Sequence, residues 1–295
     1  MLKYDSIAEL IEAAKKQKMK ISEMVLADQA AAAEADPQTL YARMERSFDV
    51  MCEAVESGSA KDQVSMSGLT GGEGYHMFDY AKRTGGGLSG SFMTGAMARA
   101  LSVAGCNASM GRIVASPTAG SCGILPGCLV SLYKEGRAEK RDIVMSMFTS
   151  GAFGMVIAKN ASIAGATGGC QAECGSASGM AAAALVELMG GRPDMCADAL
   201  AIAIANQLGL ACDPVAGLVE IPCIKRNVSG IMIAFSSADM VLAGIRAYIP
   251  ADECISAMQS VGDMMNSALK ETAGGGLAAT PTGRRLKKKI FGAEE

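Results

Sequence analysis

The side chains with the greatest chemical potential in this sequence are its cysteines. Of the ten cysteines in 295 residues, three lie at glycine- or proline-marked breaks between apolar stretches: Cys170, Cys212 and Cys223. Irregular backbone between core helices is costly unless it lines a site, and thiolates that converge there can hold an iron–sulfur cluster. Their separations match no short ferredoxin pattern, so thiols that simply fill a core of small residues remain the alternative.

Other groups that commonly act in catalysis are scarce. His76 is the only histidine, which excludes histidine-rich zinc sites and leaves a Ser-His-Asp triad possible only through that residue. It directly follows a glycine loop, where a surface or capping role is favoured over catalysis.

Three glycine-rich stretches, residues 71–74, 85–90 and 118–123, each precede a helical pattern. A flexible turn that feeds a helix N-terminus presents free N–H groups to a carboxylate or a phosphate. None contains the Gly-Lys-Ser/Thr of a P-loop, and none follows a β-strand as a dinucleotide fingerprint does. Tight turns and close helix packing are the alternative interpretation of each stretch.

The elements that must position these groups have helical patterns throughout. Ser6 precedes an apolar stripe at helical spacing and Glu9 completes a capping box. Ser22 is predicted to cap a second helix, and Asp36-Pro37 to start a third. Four later stretches are apolar almost all round, which is typical of helices inside a bundle: 181–188, 197–208, 230–248 and 254–269. The sequence therefore predicts an all-α fold, a multi-helix bundle with buried apolar helices and Gly-rich loops.

Composition excludes several classes of protein. Half of the residues are apolar and 19% are charged, which excludes a disordered chain. A net charge of −3 gives no basic field for nucleic acid. The sequence shows no signal-peptide pattern and no apolar stretch long enough to cross a membrane, so we expect a cytoplasmic protein without membrane contact. Cysteines in that compartment are thiols or metal ligands rather than disulfides.

Five sequence blocks, in order, resemble the bacterial iron–sulfur L-serine dehydratases. They are RIVASPTAGSCGILP at 112–126, KNAS at 159–162, GCQ at 169–171, CDPVAG at 212–217 and PCIKRN at 222–227. The resemblance covers about residues 68–283 and is to the α chain of the two-chain form. It implies a single α-chain domain over residues 1–295, made of a helical N-terminal region (1–66), a catalytic core (67–283) and a basic tail (284–295), which we expect to be solvated and frayed.

The resemblance also implies a cofactor. In that family three cysteines hold a 4Fe–4S cluster and leave one iron open to the substrate, and the matching blocks place these ligands at Cys170, Cys212 and Cys223. Cys174 is excluded because relatives can carry an apolar residue there. Single-chain relatives end in a cysteine that covers the open iron, whereas this sequence ends in Glu294-Glu295. They also contain an α/β domain that we expect a β subunit to supply here, in a hetero-oligomer.

The implied activity is that of an L-serine ammonia-lyase, which forms pyruvate and ammonia from L-serine. Substrate contacts are expected from residues in the matched blocks. Thr118 and Gly120 are expected to bind the substrate carboxylate, and three polar residues to orient the substrate: Asn160, Ser162 and Asn227. Each of these residues could instead cap a helix. Lys159 is the candidate base in this chain and would need burial to lower its pKa. The β subunit is the other possible source of the base.

Three other functions compete with this interpretation. A pyridoxal-phosphate dehydratase performs the same reaction, but on an α/β fold with a phosphate loop that this sequence lacks. A related iron–sulfur lyase acting on L-cysteine could share both fold and cluster. A non-catalytic iron–sulfur subunit is the third, and its use as a DNA-binding sensor is disfavoured because no basic helix-turn-helix is evident.

Overall fold

The computed structural model describes residues 3–292, and this part of the chain contains no β-strand. Its only β-type pairing is one isolated parallel bridge between Cys212 and Lys270. The predicted all-α fold is therefore confirmed.

Thirteen α-helices within residues 3–292 carry the fold. They are α1 (Ile7–Gln17), α2 (Ile21–Ala32), α3 (Pro37–Gly58), α4 (Glu73–Thr84), α5 (Gly90–Ala108), α6 (Ile124–Lys134), α7 (Lys140–Asn160), α8 (Gly165–Gly168), α9 (Ser176–Leu188), α10 (Pro193–Ala205), α11 (Cys223–Leu242), α12 (Ala251–Met264) and α13 (Pro281–Phe291). A π-helix, Gln171–Gly175, joins α8 to α9, and 3₁₀ turns lie at Val215–Gly217, Ser267–Leu269 and Gly276–Ala279.

Two of the three predicted N-terminal helix starts are confirmed. The Ser6 hydroxyl accepts the Glu9 N–H at 3.1 Å at the start of α1, and Asp36 caps α3 with Pro37 as its first residue. The prediction for Ser22 is wrong: α2 begins at Ile21, after Lys20. Ser22 is buried in the first turn, where its backbone N–H bonds a Glu187 carboxylate oxygen at 3.2 Å, so a tertiary contact takes the place of a local cap.

The interior is built from helices that are apolar on most sides. Every residue from 176 to 187 of α9 is buried, and α9 packs against α7, α10 and α11. Helix α7 is long and apolar enough to cross a membrane, but 67% of its apolar window is buried within the protein, and it packs against α2 and α3 as well as α9. One apolar core cluster continues from Ile7 in α1 to Met258 in α12.

The C-terminal region differs from the frayed end that we expected. Residues 281–291 form α13, whose N-terminus is capped by the Thr280 hydroxyl, and α13 packs on the 3₁₀ turns Val215–Gly217 and Gly276–Ala279. The basic side chains therefore belong to an ordered helix, and Gly283 at its start is buried. The predicted end at Glu294-Glu295 lies outside the described residues.

Candidate functional site

The three predicted cysteine ligands all lie at interruptions in the helical framework. Cys170 directly precedes the π-helix Gln171–Gly175, Cys212 follows α10, and Cys223 is the first residue of α11. All three are buried, with exposures of 2%, 4% and 8%. The breaks seen in the sequence are thus real interruptions, and each presents a thiol inside the protein.

Backbone and amide hydrogen bonds tie these interruptions together. The Cys212 N–H donates to the Leu269 carbonyl at 2.8 Å, and the Glu271 N–H donates to the Cys212 carbonyl at 2.7 Å. The side-chain amide of the buried Gln171 makes two further contacts. Its oxygen accepts the Gly209 N–H at 2.8 Å, and its nitrogen donates to the Met258 carbonyl at 2.9 Å. The segments that bear Cys170 and Cys212 are therefore fixed to each other, and the Cys212 segment is fixed to residues 269–271.

A buried ion pair adds a second tie. Arg226 of α11 donates to Asp213 Oδ1 at 2.8 Å and to the Ala211 carbonyl at 2.8 Å. The other Asp213 oxygen accepts the Leu277 N–H at 2.7 Å. Asp213 thus joins the Cys212 segment, α11 and the 3₁₀ turn at 276–279. An ion pair of this kind, buried and fully hydrogen-bonded, fixes geometry more than it adds stability.

The thiols influence one another's protonation. A hydrogen bond with Cys174, whose Sγ lies 3.4 Å away, holds the pKa of Cys170 below its ordinary value, and Arg226 acts in the same direction. The same contact, with burial, raises the pKa of Cys174. Burial raises the pKa of Cys223 to about 12 and raises that of Cys212, and the charge of Cys170 adds to both. The three candidate ligands therefore lie within electrostatic reach of one another.

This donor set fits an iron–sulfur cluster. Thiolates are the ligands that such clusters require, and Arg226 supplies positive charge beside them. Within residues 3–292 no three His, Cys, Asp or Glu side chains converge closely enough to hold a single metal ion. A cluster does not require that convergence, because each thiolate binds a different iron and the sulfurs stand apart.

The predicted carboxylate loop, residues 118–123, faces the π-helix. The Thr118 hydroxyl donates to Glu173 Oε1 and lies 3.0 Å from Ser121 Oγ. A β-carbon at Gly120 would lie 2.5 Å from the same Glu173 oxygen, so any larger residue would require the carboxylate or the loop to shift. Both predicted loop residues therefore surround a carboxylate of the protein itself.

Glu173 is the residue whose importance the sequence analysis missed. Burial raises the pKa of its carboxyl, and the charge of Glu271 adds to that rise, while donation from Thr118 and the Gly120 N–H opposes it. Glu173 was visible as the one acidic residue among the small residues 168–175. Its proximity to the loop depends on tertiary packing, which no local pattern reveals.

Asn227 is fully engaged inside the protein. Its amide oxygen accepts the Gly123 N–H at 2.9 Å, and its amide nitrogen donates to the carbonyls of Gly120 at 2.9 Å and Cys223 at 3.0 Å. It is completely buried. Asn227 thus holds the 118–123 loop against the cysteine-bearing end of α11.

The remaining predicted residues make local contacts. Lys159 forms an ion pair with Asp5, and its side chain is 52% exposed. Asn160 donates to the carbonyls of Asp5 at 2.7 Å and Val156 at 3.0 Å. The Ser162 hydroxyl accepts the Ala164 N–H at 3.0 Å. These are contacts of the kind that helix ends use, and they join none of these side chains to the three thiols.

Except for Cys122, which lies in the 118–123 loop, the remaining cysteines and the histidine lie outside the segments described above. All ten cysteines are free thiols, and Cys106, Cys122, Cys128, Cys196 and Cys254 are buried among apolar side chains. His76 is exposed on α4, with its ring edge-on to Tyr75 at a centroid distance of 5.6 Å.

Comparison with known proteins gives a consistent result. The family model described as "Serine dehydratase alpha chain" matches residues 16–278. The chain is 48% identical over 289 residues to the "Probable L-serine dehydratase, alpha chain" of Bacillus subtilis (strain 168), which covers 98% of this chain and 96% of that protein.

Two further relatives show how the similarity extends. The "L-serine dehydratase, alpha chain" of Peptoniphilus asaccharolyticus is 42% identical over 283 residues, or 96% of this chain and 97% of that protein. The "L-serine dehydratase" of Mycobacterium tuberculosis (strain CDC 1551 / Oshkosh) is 44% identical over 184 residues, which are 61% of this chain and 40% of that longer protein.

Proposed function

Because this chain belongs to the family of serine dehydratase alpha chains, we propose that it is the α chain of an iron–sulfur L-serine ammonia-lyase. The enzyme converts L-serine to pyruvate and ammonia. The proposal is supported by three buried thiols at helix breaks, those of Cys170, Cys212 and Cys223, whose charges act on one another. They occur in a chain that matches L-serine dehydratase α chains over nearly its whole length.

The proposed cofactor is a 4Fe–4S cluster held by these three cysteines. When bound, it supplies an open iron that acts as a Lewis acid toward the serine hydroxyl, a poor leaving group at neutral pH. Arg226, locked to Asp213 at 2.8 Å, offsets the negative charge of the thiolates. Cys174 is not a ligand in this proposal, because it serves as the hydrogen-bonding neighbour of Cys170.

The loop at residues 118–123 is the proposed site of the substrate carboxylate, with Thr118 and Gly120 as its contacts. In the free chain the Thr118 hydroxyl and the Gly120 N–H both donate to Glu173, so the substrate carboxylate shares these two donors with Glu173 and uses the other N–H groups of the loop. Asn227 supports the site by holding this loop to α11. Asn160 and Ser162 support the segment between α7 and α8.

The reaction also needs a base for the Cα proton. Lys159 requires burial for that role, whereas its side chain pairs with Asp5 at the surface. We therefore assign the base to a β subunit, in a hetero-oligomer that works in the cytoplasm. Loss of the proton and the hydroxyl gives aminoacrylate, which tautomerises and hydrolyses to pyruvate and ammonia.

The test is activity of the anaerobically co-purified α and β chains. We expect pyruvate from L-serine, acid-labile sulfide in the protein, and broad iron–sulfur absorption. An internal aldimine band would instead identify a pyridoxal-phosphate enzyme. A higher kcat/KM for L-cysteine than for L-serine would identify the desulfidase, and a loaded cluster without turnover of either substrate would identify a non-catalytic subunit.

A further inference from the structure

The carboxylate of Glu173 lies between the glycine-rich loop and a candidate metal ligand. One of its oxygens, Oε1, accepts the Thr118 hydroxyl. The second oxygen, Oε2, points elsewhere: a β-carbon at Gly165 would lie 3.5 Å from it and 2.9 Å from Cys212 Sγ. Because residue 165 is glycine, the space between the carboxylate and the thiol stays open.

The second oxygen borders the open space at Gly165. The Thr118 hydroxyl holds Oε1, and the Gly120 N–H also donates to the carboxylate. The carboxylate is thus oriented by one oxygen and presents the other toward Gly165 and Cys212. A side chain held in this way is preorganised for a donor that arrives from the site.

The positive charge that acts on this carboxylate is already engaged. Arg226 lowers the pKa of Glu173, but its guanidinium is paired with Asp213 at 2.8 Å. Burial is the largest influence on Glu173 and raises its pKa, and the charge of Glu271 adds to that rise. A cation bound at the carboxylate would offset this cost of burial.

We infer that Glu173 binds the ammonium group of the amino-acid substrate and so selects amino acids over hydroxy acids. The inference rests on the proposed function, in which the loop takes the carboxylate and the cysteine side takes the hydroxyl. The carboxylate, ammonium and hydroxyl groups of serine then each contact a different part of the site. The ammonium is the cationic substituent of serine, so it is the group that pairs most strongly with a half-buried carboxylate.

The test uses the holoenzyme and two competitors that differ in the ammonium group. 3-Hydroxypropionate is serine without its ammonium, and L-alanine keeps the ammonium but lacks the leaving group. We expect Glu173→Gln to raise the KM for L-serine and the Ki of L-alanine at least about tenfold, because the charge is lost with little change of shape. The Ki of 3-hydroxypropionate should not rise. Glu53→Gln, on the exposed surface of α3, is the control.

Several outcomes would overturn the inference. An equal rise in both Ki values would mean a general loss of site shape. A fall in kcat with unchanged KM and Ki would make Glu173 a proton-transfer group, and loss of iron or sulfide would make it part of the metal site. Glu173→Asp keeps the charge, so this variant should prefer L-alanine over 3-hydroxypropionate more strongly than Glu173→Gln does. It also replaces Glu173→Gln in the test if the glutamine variant does not fold.

The inference and the proposed function fail in different ways. A wild-type holoenzyme that does not turn over L-serine refutes the proposed function before any variant is made. Normal wild-type turnover with unchanged constants in Glu173→Gln refutes only the role of Glu173.

Discussion

Cys170 and Cys174 are neighbouring buried thiols whose sulfurs lie 3.4 Å apart. The contact lowers the pKa of Cys170 and raises that of Cys174. Burial also raises the pKa of the proposed ligands Cys212 and Cys223, so protonation in the free chain does not distinguish ligands from their neighbours. Only the cluster content of variants separates Cys170 from Cys174.

Single Cys→Ser substitutions test this assignment. We expect serine at position 170, 212 or 223 to abolish or greatly reduce iron and acid-labile sulfide, because a hydroxyl does not replace a thiolate ligand. Cys174→Ser should keep the cluster, and the half-buried Cys52 provides a matched control. Full iron content in any of the first three variants, or its loss in Cys174→Ser, would refute the ligand set.

Gly120 is a second position at which the addition of one atom, a β-carbon, should change both stability and substrate binding. In Gly120→Ala the new β-carbon would lie 2.5 Å from Glu173 Oε1, so the carboxylate or the loop must move. We expect a loss of about 1–3 kcal/mol in the free energy of unfolding and weaker serine binding, measured by urea titration and by KM. Gly151→Ala is the control: no atom lies within 4 Å of its β-carbon, and alanine within α7 should stabilise the fold by about 0.4–1 kcal/mol.

At the scale of elements, the Asp213–Arg226 pair joins three segments that are remote in sequence. The Asp213 side chain is buried, at 7% exposure, and that of Arg226 is partly buried, at 16%. Removal of one partner leaves an uncompensated charge. Asp213→Ala should therefore lower the free energy of unfolding by about 3–5 kcal/mol, measured by urea denaturation of the metal-free chain.

The control for that prediction is an exposed ion pair. Asp79 and Arg83 lie one helical turn apart on α4, 2.7 Å from each other and largely in solvent, so Asp79→Ala should cost less than about 0.5 kcal/mol. Equal effects of the two substitutions would show that the buried pair does not hold the segments together.

Helical periodicity was sufficient to predict the bundle, because apolar spacing and caps such as Ser6 are local signals. It failed at Ser22, where a distant glutamate bonds the backbone. It also failed at α13, whose basic residues are mostly exposed as expected but which forms an ordered helix that packs on 3₁₀ turns. In the site, the cysteines stood out at glycine and proline breaks. The contact between Glu173 and Thr118 was not visible in the sequence, because it joins residues that are 55 positions apart.

At the scale of the whole molecule, three thiolates leave one iron of the proposed cluster without a thiol ligand from this chain. Oxidation should therefore release that iron first and stop turnover before the protein unfolds. The measurement is activity, iron content and circular dichroism over time in air, with an argon sample as control. Activity that persists in air with the cluster intact would contradict an open iron.

The second whole-molecule prediction concerns the partner. Because Lys159 pairs with Asp5 at the surface and His76 is exposed on α4, we expect the isolated chain to be nearly inactive even after anaerobic reconstitution. Pyruvate formation should rise as the β chain is added and level off near an equimolar ratio. A flat titration at full activity would place the base within this chain.

The bracing of Cys212 by the C-terminal region sets an order of events during synthesis. Its backbone pairs with Leu269 and Glu271, and its neighbour Asp213 accepts the Leu277 N–H, so the nascent chain has all three thiols well before it has the partners that fix the middle one. For the proposed cluster, this order predicts that stable loading needs a chain synthesised at least through Leu277, and that a chain truncated after residue 223 does not hold the cluster.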